Sequence, residues 1–313
     1  ADAYPDPLCR ALCAALARET GVSPAYILCG NGAADLIFRL MLAQKPQRAL
    51  LPVPAFLEYE AALVAVGCTV ERHVLKTEDG FALTPRILPA ITDTLDLLIL
   101  TNPNNPTGRT IAPALLDQIL TRARDRGVTV LLDECFCALL DAPSTHTRRG
   151  DLAAYPNVIL LDALTKSHGM AGVRLGYALS ADTALLEAMR AAGQPLAVST
   201  LAEAAGVAAL SDHAYLDAVR ALLQTERVFL REGLAELGLT PTGEANFLFF
   251  SCACPDFAAC LAARGILIRD CSDFSGLPSG YYRVAVRTHA ENETLLAAIA
   301  AVLKGGEPLC HPS

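Results

Sequence analysis

Short extended candidates recur along the first two thirds of the chain, at 27–29, 49–51, 69–74, 95–100, 128–132 and 158–161. Several are continuously apolar, so they need cover on both faces, which parallel strands inside a layered fold receive. Helical patterns fit between them at 8–18, 33–42, 57–66 and 113–126, and Gly21 closes the first. This alternation predicts an α/β fold with a mainly parallel sheet and right-handed crossovers.

After about residue 212 the texture changes. A long amphipathic helix is expected over 214–237, interrupted by Gly238. Strands at 246–251, 265–269 and 282–286, with helices at 257–264 and 292–303, then make a smaller α+β unit. The expected division is a large domain over 1–212 and a C-terminal domain over 213–313. The tail at 305–313 is expected to fray.

Composition excludes several functions. Hydrophobic residues make up 53% and charged residues 19%, which excludes intrinsic disorder. The net charge of −8, with no dense basic run, argues against nucleic acid as a partner. An anionic ligand must therefore be held by a few local arginines. The eleven cysteines include no CxxC pair, and Cys135, Cys137, Cys252 and Cys254 sit in apolar runs. They read as buried free thiols in a reducing cytoplasm. The polar opening from Ala1 to Pro7 is unlike a signal peptide, and no apolar run approaches ~20 residues, so no membrane is expected. There is no Gly-x-Ser-x-Gly elbow, no Walker loop and no metal-type pairing of the six histidines.

Three segments carry chemistry. Thr101-Asn102-Pro103-Asn104-Asn105-Pro106-Thr107-Gly108 follows a strand, at the end where open α/β sheets place ligands. Leu131-Leu132-Asp133-Glu134 puts an acid at the end of another strand. Lys166 follows a third strand within a small-residue loop, where desolvation can make it nucleophilic, and Arg174 lies eight residues on. In isolation these are a plain Asn/Pro turn, a cap or ion-pair partner, and a solvated lysine. Together they match the needs of pyridoxal 5′-phosphate. Lys166 would form the Schiff base, and Asp133 would keep the pyridine nitrogen protonated. Asn105 would donate to the phenolic oxygen and Arg174 would grip the phosphate. Gly32-Ala33-Ala34, opening a helix, would add backbone N–H groups.

In these motifs, and over nearly its whole length, the chain resembles the fold-type I class I/II aminotransferases. That implies a large, mainly parallel domain, a smaller C-terminal α+β domain, and a homodimer with shared active sites. The resemblance also implies a stacking role for Phe56, a cofactor contact for Thr165 beside the lysine, and a reach by Tyr4 to the neighbouring subunit's cofactor phosphate. Arg283 would clamp the substrate α-carboxylate, and Arg269 would meet a second anionic group. A core-strand or surface role is the plainer reading of Arg269 and Arg287.

Some positions depart from the family pattern. Ala163 replaces a hydroxyl that binds the phosphate, Asp35 stands for a common Glu, and Phe136 replaces a Tyr that bonds the cofactor phenolate. Each lost hydrogen bond would weaken cofactor binding by ~1 kcal/mol. The chain also begins where relatives carry an N-terminal arm, which implies a less enclosed site.

Within the superfamily, the likeness is to two sister groups, the threonine-phosphate decarboxylases of cobalamin biosynthesis and the histidinol-phosphate aminotransferases. Residues 268–277 and 281–287, with Phe56-Leu57-Glu58-Tyr59 and Asp133-Glu134-Cys135-Phe136, lean toward the decarboxylases. Arg287 would supply a third cation for a small phosphorylated amino-acid substrate. The alternatives are an aminotransferase and a catalytically degenerate protein of the same fold.

Overall fold

The structure, a computed structural model, describes residues 3–305. The fraying expected beyond 305 lies outside the described residues. Seven strands form the large sheet: β1 (Ile27–Gly30), β2 (Arg48–Val53), β3 (Thr69–Val74), β4 (Leu97–Thr101), β5 (Thr129–Asp133), β6 (Val158–Ala163) and β7 (Gly176–Leu179). Their order is β1-β7-β6-β5-β4-β2-β3. Pairing from β3 across to β6 is parallel, whereas β7 runs antiparallel to both β6 and β1.

The strands' apolar runs are explained by their two covered faces. Leu50, Leu98, Leu100, Val130, Leu132 and Leu160 join one core, which also takes in Leu12 and Leu16 of α1 (Arg10–Thr20). Residues one step out of phase, including Leu51, Leu97, Ile99, Leu131 and Leu161, join the other, against Ile37 and Leu40 of α2 (Gly32–Gln44) and Tyr59 of α3 (Leu57–Ala65). The two-residue period of a strand sends alternate side chains to opposite faces. Each fully buried Leu or Ile contributes about 1.5–3 kcal/mol. The helix α4 (Pro113–Asp125) covers the first face through Leu116 and Ile119.

Several elements escaped the sequence reading. The strand β7 has four residues and opens on glycine, so it carries too little periodicity to announce itself. Two helices, α7 (Thr183–Ala192) and α8 (Thr200–Leu210), were also missed; α8 is so rich in alanine that its buried face is poorly marked. Short helices α5 (Pro143–His146) and α6 (Leu164–Ser167) follow β5 and β6 respectively.

The smaller module has an antiparallel sheet of β8 (Phe247–Ser251), β9 (Arg269–Asp270) and β10 (Tyr281–Ala285), in the order β8-β10-β9. The helices α9 (His213–Glu236), α10 (Phe257–Ala262) and α11 (His289–Leu303) pack with it around Leu230, Phe250, Phe257 and Ile299. The strand expected over 265–269 is corrected to the two residues of β9, because Gly265 at φ 78° completes the turn after α10. The last helix starts earlier than expected, at a capping box in which Thr288 and Glu291 satisfy each other's backbone N–H groups. Among the described residues, no helix is long and apolar enough to cross a membrane.

One feature of this topology positions the site. The strands β1, β2, β4, β5 and β6 end at the same rim, and the reversed β7 begins there, with Gly176 opposite Gly30 and Ala163. Arg174, just before β7, is therefore delivered to the rim that the other strands reach by their carboxyl ends.

Candidate active site

Asp133 closes β5 and is buried. Its Oδ2 accepts from the Tyr59 hydroxyl at 2.6 Å and its Oδ1 from the Cys135 N–H at 2.8 Å. Burial pushes its carboxyl above the ordinary range, and these hydrogen bonds oppose that rise. A cation placed against it would favour the carboxylate further.

The loop after β4 is fixed by its own amides. Asn104 Nδ2 donates to the Pro54 carbonyl at 3.1 Å and to Thr107 Oγ1 at 2.9 Å. Asn102 Oδ1 accepts from the Ile111 N–H at 2.9 Å. This leaves Asn105 facing the smaller module, where its Oδ1 accepts from Arg283 Nη1. With Oδ1 so engaged, Nδ2 is the atom Asn105 has left to offer a ligand.

Lys166 lies in α6 just beyond β6, beside the half-buried Thr165. The ammonium sits 5.6 Å from the centre of the Phe136 ring. The expectation of a desolvated lysine is corrected: the side chain is exposed at the wall of a cleft of about 720 Å³. That cleft is also lined by Arg269, Arg283 and Arg287. Arg283 is packed 4.8 Å over the Phe247 ring, and burial holds its pKa below the usual value. The other two arginines are already paired, Arg269 with Asp273 at 2.7 Å and Arg287 with Glu291 at 2.7 Å.

At the start of α2 the backbone leaves room that a side chain would fill. Gly32 has φ 79°, and a Cβ there would stand 2.8 Å from Arg174 Nη2. The guanidinium thus lies against the first turn of a thirteen-residue helix, among N–H groups without helical partners. Ala33 and Ala34 follow, half-buried. Asp35 accepts from the Asn31 N–H at 2.9 Å and pairs with Arg39 at 2.9 Å, so it stiffens this turn from outside. Ala163 is buried and brings no hydroxyl. Phe56 opens α3 and meets Tyr59 edge-on at 5.6 Å. Tyr4 is 88% exposed and does not line the cleft within its own chain.

Several residues of this region were not singled out from sequence. Tyr59 is one, although it stands in the quoted Phe56-Leu57-Glu58-Tyr59 segment. Another group is a buried charge network behind the rim. Arg149 pairs with Asp162 and lies 3.6 Å from Glu134. Tyr177 donates to Asp162 at 2.8 Å, and Thr147 to Glu134 at 2.6 Å. Burial pushes Glu134 up to about 7, against the Arg149 charge. The network joins the ends of β5, β6 and β7. Asn246 is a third case: its Oδ1 is buried at the cleft wall without a hydrogen-bond partner among the described residues. A polar residue opening an aromatic strand is the signal that could have found it.

The residues present fit pyridoxal 5′-phosphate. A glycine-bounded turn with a guanidinium suits a phosphate, a buried carboxylate suits a protonated ring nitrogen, and an accessible amine suits an aldehyde. Among the described residues no cluster of His, Cys, Asp or Glu could hold a metal ion.

Comparison with known proteins agrees. The model of the family "Aminotransferase class I and II" matches residues 3–299. The chain is 39% identical to the threonine-phosphate decarboxylase of Salmonella typhimurium, across 97% of this chain and 84% of that one. It is 32% identical to a histidinol-phosphate aminotransferase of Anaeromyxobacter, across 96% of this chain and 83% of the other. The crystal structure of the histidinol-phosphate aminotransferase from Clostridium acetobutylicum superposes with a TM-score of 0.91 at 25% identity, covering 97% of this chain and 91% of that one. With a sevenfold mixed sheet, a smaller module and this rim of residues, the chain belongs to the class I and II aminotransferases of fold type I, which depend on pyridoxal 5′-phosphate.

Proposed function

We propose that this enzyme decarboxylates O-phospho-L-threonine to (R)-1-amino-2-propanol O-phosphate, a step of cobalamin assembly. The observation that carries this reading is the 39% identity to a threonine-phosphate decarboxylase over nearly the whole chain, against 32% to a histidinol-phosphate aminotransferase. The three arginines of the cleft accord with a substrate that bears both a carboxylate and a phosphate.

Pyridoxal 5′-phosphate, when bound, supplies an electron sink for the charge left on the substrate Cα. Lys166 Nζ would hold the cofactor, and Asp133 would keep its ring nitrogen protonated. Asn105 Nδ2 would donate to the phenolic oxygen, Phe56 would stack on the ring, and Thr165 would contact it beside the lysine. Arg174 and the N–H groups of Gly32, Ala33 and Ala34 would hold the phosphate. Arg283 would orient the substrate carboxylate, and that orientation decides whether the C–COO⁻ or the C–H bond aligns for cleavage. Arg269 and Arg287 would bind the substrate phosphate, which must compete with Asp273 and Glu291 for them. A second copy of the chain would bring Tyr4 to the cofactor phosphate, making a homodimer with shared sites. Ten free cysteines among the described residues accord with a reducing cytoplasm.

The test is an assay of the cofactor-loaded protein with O-phospho-L-threonine, run beside histidinol phosphate plus 2-oxoglutarate. Release of CO₂ and aminopropanol phosphate without an amino acceptor is the expected outcome. Glutamate formation without CO₂ would make the enzyme an aminotransferase instead. Silence in both, with cofactor bound, would make it a degenerate member of the fold. Lys166→Ala should abolish both turnover and the visible absorbance of covalently held cofactor; retained turnover would remove Lys166 from its role.

A further inference from the structure

Away from the cleft, the α1 and β1 elements bring thiols together. Cys13 Sγ of α1 lies 3.8 Å from Cys29 Sγ of β1. Cys13 is half-buried at the surface of its helix, whereas Cys29 is buried at the floor of a separate cavity of about 330 Å³. Cys9, also buried, lines the same cavity. We infer that Cys13 and Cys29 are a two-electron redox pair, forming a disulfide that ties α1 to β1 when the enzyme meets a hydroperoxide.

The two sulfurs are already in van der Waals contact, and a disulfide requires them to close to about 2 Å. The two thiols also differ in the sense the chemistry requires. The hydrogen bond with Cys29 lowers the Cys13 pKa, and Arg190 assists against burial and the carboxylates of Glu203 and Asp6. The same contact, together with Cys9 and burial, raises Cys29. Cys13, the more accessible of the two and the one whose thiolate is favoured, is the sulfur assigned to attack.

In the first step the Cys13 sulfur takes OH from hydrogen peroxide, the O–O bond breaks, and the hydroxide that leaves becomes water with the proton Cys13 lost on ionising. In the second, Cys29 Sγ displaces that oxygen from Cys13 as hydroxide, the S–S bond forms, and the Cys29 proton converts the hydroxide to water. Two thiols lose two electrons and one peroxide becomes two waters. This pair is independent of which reaction the cleft performs.

Trypsin makes the test clean, because Arg10, Arg18 and Arg39 place Cys9, Cys13 and Cys29 on separate peptides. The cofactor-loaded enzyme is treated with hydrogen peroxide, alkylated, digested and weighed. The expected product joins residues 11–18 to 19–39 with the loss of two hydrogens, and a dithiol reverses it. The Tm should rise by a few degrees in the oxidised parent and stay unmoved in Cys13→Ser, since the bond closes a loop in the unfolded chain. Over-oxidised Cys13 without the cross-link would overturn the pair. So would a link from residues 1–10 to 19–39 in its place, or a Tm that falls as the bond forms.

Discussion

Asp133 and Glu134 are neighbours in sequence with opposite surroundings. Asp133 faces the rim, with hydrogen bonds to Tyr59 and Cys135. Asp133→Asn should leave the fold intact and slow turnover by at least about 100-fold, because it would remove the charge proposed to partner the cofactor ring; equal rates would deny it that role. Glu134 points behind the rim toward Arg149, with Asp162 and Cys137 acting on the same buried space. Its folded pKa of about 7 stands above the ordinary 4.5, so the folded state holds a proton that the unfolded chain has released. The stability it lends is full below the unfolded pKa and is lost as pH rises to about 7, amounting to about 3 kcal/mol. Denaturation midpoints should therefore fall across that window in the parent and lack this slope in Glu134→Gln. Sequence made Asp133, Asn105 and Lys166 legible because each follows an apolar strand. Arg149 and Asp162 were hidden, since their pairing depends on how β5, β6 and β7 are ordered.

At the scale of elements, β7 is the piece that sequence missed and the site most needs. A Cβ on Gly176 would stand 2.7 Å from the Ala33 nitrogen and 2.7 Å from the Gly32 carbonyl carbon. Backbone cannot rotate aside, so Gly176→Ala should push β7 from the start of α2. The expected cost is about 1–3 kcal/mol of stability, with weaker cofactor binding; denaturant titration and cofactor titration would check it. Undiminished affinity would mean that the turn at Gly32 adjusts freely. The apolar strands and the long α9 were readable because their patterns are strong. Alanine-rich α8 and glycine-led β7 were not, and β9 was read with the wrong bounds, because packing rather than periodicity defines them. The proposed domain division at 212/213 falls where Asp212 caps α9 by accepting from Tyr215.

For the whole molecule, the two modules meet across glycines. A Cβ on Gly108 would lie 2.5 Å from Gly243 Cα, so the Asn/Pro loop and the turn before β8 touch through backbone. Arg227 of α9 bonds the carbonyls of Glu244 and Ala245 and pairs with Asp141 of the large module. The proposed homodimer is a statement at this scale: sedimentation should give twice the chain mass, and Tyr4→Ala should weaken cofactor retention. A monomer of full activity would remove Tyr4 from the site.

The hydrogen bond between Arg283 and Asn105 would make the proposed recognition an exchange rather than an addition. If Arg283 takes the substrate carboxylate as proposed, that group would compete at Nη1 with an amide oxygen already there, and its net gain there would be the difference between a charged and a neutral acceptor. An amine lacking the carboxylate would have to leave that bond untouched or break it without compensation. Under the proposed role of Arg283, the resting contact would act as a threshold, filtering amino acids from simple amines before any bond is cleaved.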